Sequence, residues 1–171
     1  MLAKLVGFNT ISDRSNLPLI DFVAGYLEDW GISSEHVFDD TGEKAALYAL
    51  IGPRTEGGIV LSAHTDVVPV ENQAWSSDPF TLRAENGRLY GRGAADMKGF
   101  AASVLAHVPR FLEAGLTRPL HIALSYDEEV GCLGAPPLIE DMLQNEPHPS
   151  AVIVGEPTNM AAVTGHKGII V

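Results

Sequence analysis

The chain has 171 residues, 22 acidic and 11 basic, for a net charge of −11. That balance argues against nucleic acid or an anionic membrane as its partner, and a hydrophobic content of 46% excludes intrinsic disorder. No apolar run reaches the length of a membrane span, MLAKLVGFNTIS does not read as a secretory signal, and the single Cys132 leaves no disulfide framework and fits a reducing, cytoplasmic compartment. Residues 2–8 read as a short helix. From Leu17 to Trp30, Ile20, Val23, Leu27 and Trp30 recur at helical steps, with Asn16 as N-cap, Pro18 in the first turn and Gly31 as the stop. AALYALI (45–51) and GIVLSA (58–63) read as strands. TLRAENGRLY (81–90) reads as a hairpin around Asn86-Gly87. Met97 to Ala114 reads as a helix stopped by Gly115, with Pro109 set to kink or break it. A strand (120–126), a helix (136–144) and a strand (151–155) follow.

Strands alternating with helices predict an α/β protein, a three-layer α/β/α sandwich around a mostly parallel sheet. In such sheets functional groups gather at the carboxyl ends of strands. His64-Thr65-Asp66 follows the second strand, Asp127-Glu128-Glu129 follows LHIALSY, and Glu156 follows AVIVG. Asp96 stands directly before a helix. Singly, each has an ordinary reading: a packed histidine, a helix-capping acid, solvated loop charges. Together, several like charges on one edge repel one another unless a cation sits among them. Imidazole plus carboxylates suits Zn²⁺, and Co²⁺ or Mn²⁺ fits the same donors. In an extended segment Asp66 lies on the same side as His64 and can accept a hydrogen bond from its second ring nitrogen. Glu128 and Glu129 diverge, so one can ligate metal while the other faces a reacting water.

AHTDVVP (63–69), GRGAADMKG (91–99), SYDEEVGCLG (125–134) and GEPT (155–158) resemble, in order and spacing, the co-catalytic di-zinc amidohydrolase and metallopeptidase family. The similarity runs from about Phe8 to the last residue, and YDEEVGCLGA with GEPTNMAAVTGHKG is most similar to its acetylornithine deacetylase branch. The resemblance implies two Zn²⁺, with His64 and Glu156 on one, Glu129 on the other and Asp96 bridging. It implies Asp66 as the group orienting His64, Glu128 as general base, and a cis peptide at Asp96-Met97. Ala63 and Ala95 stand where relatives often carry Gly and Cys. The family's second zinc takes a further histidine after an inserted lid and dimerisation domain. His36, His107, His121 and His148 do not fit that role, and His166 lies beyond GEPT where the chain should leave for the lid.

The expected activity is hydrolysis of an N-acyl amino acid, foremost N2-acetylornithine to ornithine and acetate, a step of arginine biosynthesis, by a homodimer. A desuccinylase, an aminoacylase and a dipeptidase are the alternatives within the family. A metal-binding fragment without catalysis is the alternative outside it. The apolar ending GHKGIIV reads as a strand just begun, so residues 1–171 are expected to form the N-terminal part of the catalytic zinc-binding domain. Cys132 reads as a small packed residue near the site and Trp75 as a wall of the pocket.

Overall fold

The structure is a computed structural model that describes residues 1–165. His166 and the GIIV run lie outside the described residues. Helices α1 (Leu2–Gly7) and α2 (Leu17–Asp29) precede strands β1 (Ser34–Phe38), β2 (Ala45–Ile51) and β3 (Ile59–His64). A hairpin of β4 (Arg83–Glu85) and β5 (Arg88–Tyr90) leads to α3 (Lys98–Ala106) and α4 (Val108–Glu113). Strand β6 (Leu120–Ser125), helix α5 (Ala135–Asn145) and strand β7 (Ala151–Val154) complete the order.

The main sheet runs β1-β2-β6-β3-β7. Its sides of the sandwich follow from period-2 alternation. Ala45, Leu47, Ala49 and Ile51 face one side with Ile122 and Leu124, packed under α2 and α3 with Ile20, Val23, Leu27 and Leu105. Ala46, Tyr48 and Ala123 face the other, packed against Leu138 and Met142 of α5. This gives the three layers expected of the α/β sandwich. The sheet is mixed, with one strand reversed: β3 pairs parallel with β6 and β7, and β2 pairs antiparallel with β6 and with β1, so β1 runs in the same direction as β3, β6 and β7. The short β1, SEHVF, lacks the apolar run that marks a central strand, because it is an edge strand paired on one side only.

Three local expectations sharpen. Asn86 and Gly87 take φ of 51° and 72°, the two left-handed residues that close a two-residue hairpin loop. Pro109 falls in the first turn of α4, and the predicted long helix divides at His107. Asn16 does precede α2, but its side chain makes no capping bond. Its Nδ2 donates to the Ala45 carbonyl at 2.8 Å and to Thr65 Oγ1 at 3.0 Å, and its Oδ1 accepts from the Ala45 N–H at 3.0 Å. The buried amide thus ties the start of α2 to β2 and to the segment after β3.

Candidate metal centre

Parallel pairing of β3 with β6 sets His64 level with Ser125, so the segments that follow both strands meet at one edge. His64 is 2% exposed. Its Nδ1 lies 3.0 Å from the main-chain oxygen of Asp66 and 3.3 Å from Asp66 Oδ1. Its Nε2 looks the other way, 3.0 Å from Asp96 Oδ1, 3.7 Å from Glu156 Oε1 and 3.9 Å from Glu128 Oε2. In the neutral ring with Nδ1–H donating to Asp66, Nε2 keeps a lone pair on the side of the carboxylates, where a cation would sit.

Asp66 is anchored from several sides. Ser12 Oγ donates to its Oδ2 at 2.7 Å. The main-chain N–H groups of Glu128 and Glu129 donate to Oδ1 at 3.1 Å and to Oδ2 at 3.2 Å. Burial alone would raise the pKa of this carboxyl, but His64, Ser12 and the Glu128 N–H hold it below the usual carboxylate range. Asp66 therefore lies within reach of His64 Nδ1 and also accepts from the backbone of the glutamate pair, a contact its spacing from His64 did not announce.

One ligand atom each from His64, Asp96 and Glu156 lie within 4.8 Å of one another. Glu128 stands beside this group through its Oε2 contact with His64. Glu129 is not one of the three-atom group, although its N–H is bound to Asp66. The Asp96-Met97 peptide is cis. Electrostatically the cluster is crowded. Partial burial, together with the charge of Asp96, pushes the carboxyls of Glu129 and Glu156 upward despite the opposing pull of His64. Burial would lower the His64 pKa, but bonds to Asp66 and Asp96 and the charge of Glu128 overcome it and raise the group to about 9. Carboxylates pressed together around one imidazole are a donor set that fits divalent zinc.

A cavity of about 500 Å³ opens beside the cluster. His64, Glu128, Cys132 and Glu156 line one end, and Leu138, Ile139 and Val152 line its length. Cys132 sits at the rim, its Sγ 3.7 Å from Glu128 Oε1, and is exposed rather than packed. Trp75 does not line this cavity. Its ring instead carries the Arg92 guanidinium 5.2 Å from its centroid.

Ser12, Lys44 and Lys98 escaped the sequence reading. Lys98 is 1% exposed and donates to the Phe8 carbonyl at 2.8 Å. Burial lowers its pKa to about 8, against the pull of Asp66. None of the three stands out in the sequence: Ser12 lies in the mixed FNTIS segment, whose Ile11 forms a bridge with Val67.

A layered α/β fold with an imidazole and carboxylates at the ends of its parallel strands defines a metallohydrolase-like scaffold. Residues 60–167 match the sequence model of Peptidase family M20/M25/M40, and the chain belongs to that family. It is 39% identical over 175 residues to the acetylornithine deacetylase of Pasteurella multocida, covering 98% of this chain and 45% of that protein. It is 40% identical over 163 residues to that of Yersinia pseudotuberculosis, covering 92% and 41%. The chain thus spans less than half the length of these curated relatives. In structure it is similar to an M20 family metallo-carboxypeptidase from Sulfolobus solfataricus (TM-score 0.77, 23% identity, 90% of this chain and 36% of that one). It is also similar to human carnosine dipeptidase 1 (TM-score 0.74, 21% identity, 90% and 37%). The Bacillus subtilis YXEP protein, described as a dinuclear metal binding peptidase, aligns at TM-score 0.64 and 20% identity over 90% of this chain and 40% of that one.

Proposed function

We propose that this chain carries the base and the larger share of the metal ligands of a zinc-dependent amidohydrolase. The observation that carries the reading is the convergence of His64 Nε2 with Asp96 and Glu156, with Glu128 alongside. In this reading His64, Asp96 and Glu156 would hold one zinc, and Glu129, with Asp96 shared, would contribute to a second. Zinc bound there would supply a Lewis acid for the amide carbonyl and lower the pKa of water. Glu128 takes a proton from the attacking water at Oε2 and delivers it to the amine nitrogen as the C–N bond breaks. Asp66 keeps the proton of His64 on Nδ1 throughout. A water-derived oxygen ends in the released carboxylate and the proton ends on the amine, so the step balances.

The substrate reading is N2-acetylornithine, giving ornithine and acetate. It is supported by relatives at 39–40% identity that carry that name. A cytoplasmic homodimer, with a lid and dimerisation domain in further chain, belongs to the same proposal. The test uses the full-length protein. Glu128→Gln keeps its zinc while turnover falls by about 10³-fold or more. Near-parental turnover would remove Glu128 from the role. Comparing kcat/KM for N2-acetylornithine, N-succinyl-diaminopimelate and a dipeptide decides the substrate.

For residues 1–171 by themselves a second reading is favoured by one observation. The single group of candidate ligands among the described residues contains one imidazole. Taken alone, the chain binds one zinc without turnover. Metal analysis finding two zinc ions per chain would contradict this.

A further inference from the structure

A partly buried ion pair lies outside the proposed metal ligands. Lys44 stands just before β2, and its main chain is fixed by Asp39: its N–H donates to Asp39 Oδ1 at 3.0 Å and its carbonyl accepts from the Asp39 N–H at 3.0 Å. Its Nζ donates to both Asp127 carboxylate oxygens at 2.6 Å and to the Ser12 carbonyl at 2.6 Å. The two side chains are 17% and 10% exposed. Three segments distant in sequence are thus joined next to Glu128, and Ser12 carries the connection on to Asp66 through its hydroxyl.

Asp127 has φ of 55°, in the left-handed region. A chain leaving β6 in extended form would point successive N–H groups to opposite sides. The left-handed residue instead turns the N–H groups of Glu128 and Glu129 together onto the Asp66 carboxylate, as in an anion-binding nest. Aspartate tolerates this conformation better than most residues, though at a cost. Lys44 grips its side chain from one side while Asp66 grips the next two N–H groups from the other.

We propose that Lys44 is a positioning residue for Glu128: held by Ser12 and Asp127, it keeps the 127–129 turn in the geometry that presents the Glu128 carboxylate to the site. The inference rests on Glu128 being the proton acceptor. A pair that merely stabilises the fold would lower thermal stability and leave the folded enzyme's turnover intact.

The experiment uses the full-length, zinc-loaded protein. Lys44→Met lowers kcat by about 10–100-fold, with zinc content unchanged and KM within about threefold of the parent. Lys44→Arg, which retains a cation, returns kcat to within about fivefold. The Lys44→Met/Glu128→Gln double variant is no slower than Glu128→Gln alone, because Lys44 acts through Glu128. In the metal-free protein, amide exchange in peptides covering residues 127–134 speeds by about tenfold in Lys44→Met, while peptides from β6 do not change. If Lys44→Met does not fold, Asp127→Asn takes its place, since asparagine keeps the left-handed preference and loses the charge. Parental kcat, unchanged exchange at 127–134, or losses that multiply in the double variant would each overturn the proposal. Parental turnover in Glu128→Gln would instead overturn the base assignment, and the exchange measurement would still decide whether Lys44 holds the turn.

Discussion

The Asp66 carboxylate accepts from Ser12 and from the main chain of Glu128 and Glu129, and its Oδ1 lies 3.3 Å from His64 Nδ1, which is also 3.0 Å from the Asp66 main-chain oxygen. Asparagine is nearly isosteric there, yet it turns an NH₂ group toward donors that need an acceptor. Asp66→Asn should therefore weaken zinc binding by about 10–100-fold in a chelator competition. A second expectation concerns His64. Its pKa is about 9 in the metal-free fold, against an ordinary value of 6.5. Raised in the folded state, it contributes stability that is fully present below pH 6.5 and is lost as pH rises through about 9. Unfolding in the presence of a chelator should show that loss. Zinc needs the neutral ring, so binding between those pH values should release a proton, visible as a buffer-dependent heat in calorimetry. His64, Asp66, Glu128, Glu129 and Glu156 were legible in the sequence because each follows an apolar strand, and Asp96 because it stands directly before a helix. Ser12 and Lys44 were not, since their roles come from contacts 54 and 83 residues away.

Elements place these side chains through a few close approaches. A Cβ on Gly155 would enter the Phe100 ring, and Gly155 immediately precedes Glu156. Gly155→Ala should cost about 1–3 kcal/mol by overpacking and also weaken zinc binding, as Glu156 is displaced. Gly25 is the matched control: it is exposed in α2 and a Cβ there meets nothing within 4 Å. Gly25→Ala should stabilise by about 0.5–1 kcal/mol in urea unfolding and leave zinc affinity unchanged. Helix and strand periodicity made α2, β2, β3, β6 and α5 legible. Strand direction was not legible, because an apolar run such as AALYALI reads the same whether its neighbours run with it or against it.

At the scale of the whole molecule the most telling surface is apolar. Ile139 and Leu143 of α5 and Val152 and Val154 of β7 line one cavity and are 46–58% exposed. Such a patch on a strand that forms the sheet edge among the described residues favours association. The 171-residue chain prepared alone should bind a hydrophobic dye and run larger than a monomer in gel filtration, and Ile139→Lys should reduce both. Zinc at about 100 times its dissociation constant should stabilise the chain by about 2.7 kcal/mol, read as a rise in Tm. Four motifs in order made the family legible from the sequence. The second imidazole was not, since none of the other histidines joins the ligand group among the described residues.

The reversal of direction between β2 and β6 has a chemical consequence. Parallel strands deliver only their ends to the edge where β3 and β6 finish, and here those ends carry acids. An antiparallel neighbour delivers its beginning. The β2–β6 register places Leu47 opposite Leu124, and extending it three residues sets Lys44 opposite Asp127. The strand that runs against β6 therefore brings a cation to the rim where the carboxylates gather. Sheet polarity sorts the two signs before any side chain chooses a rotamer.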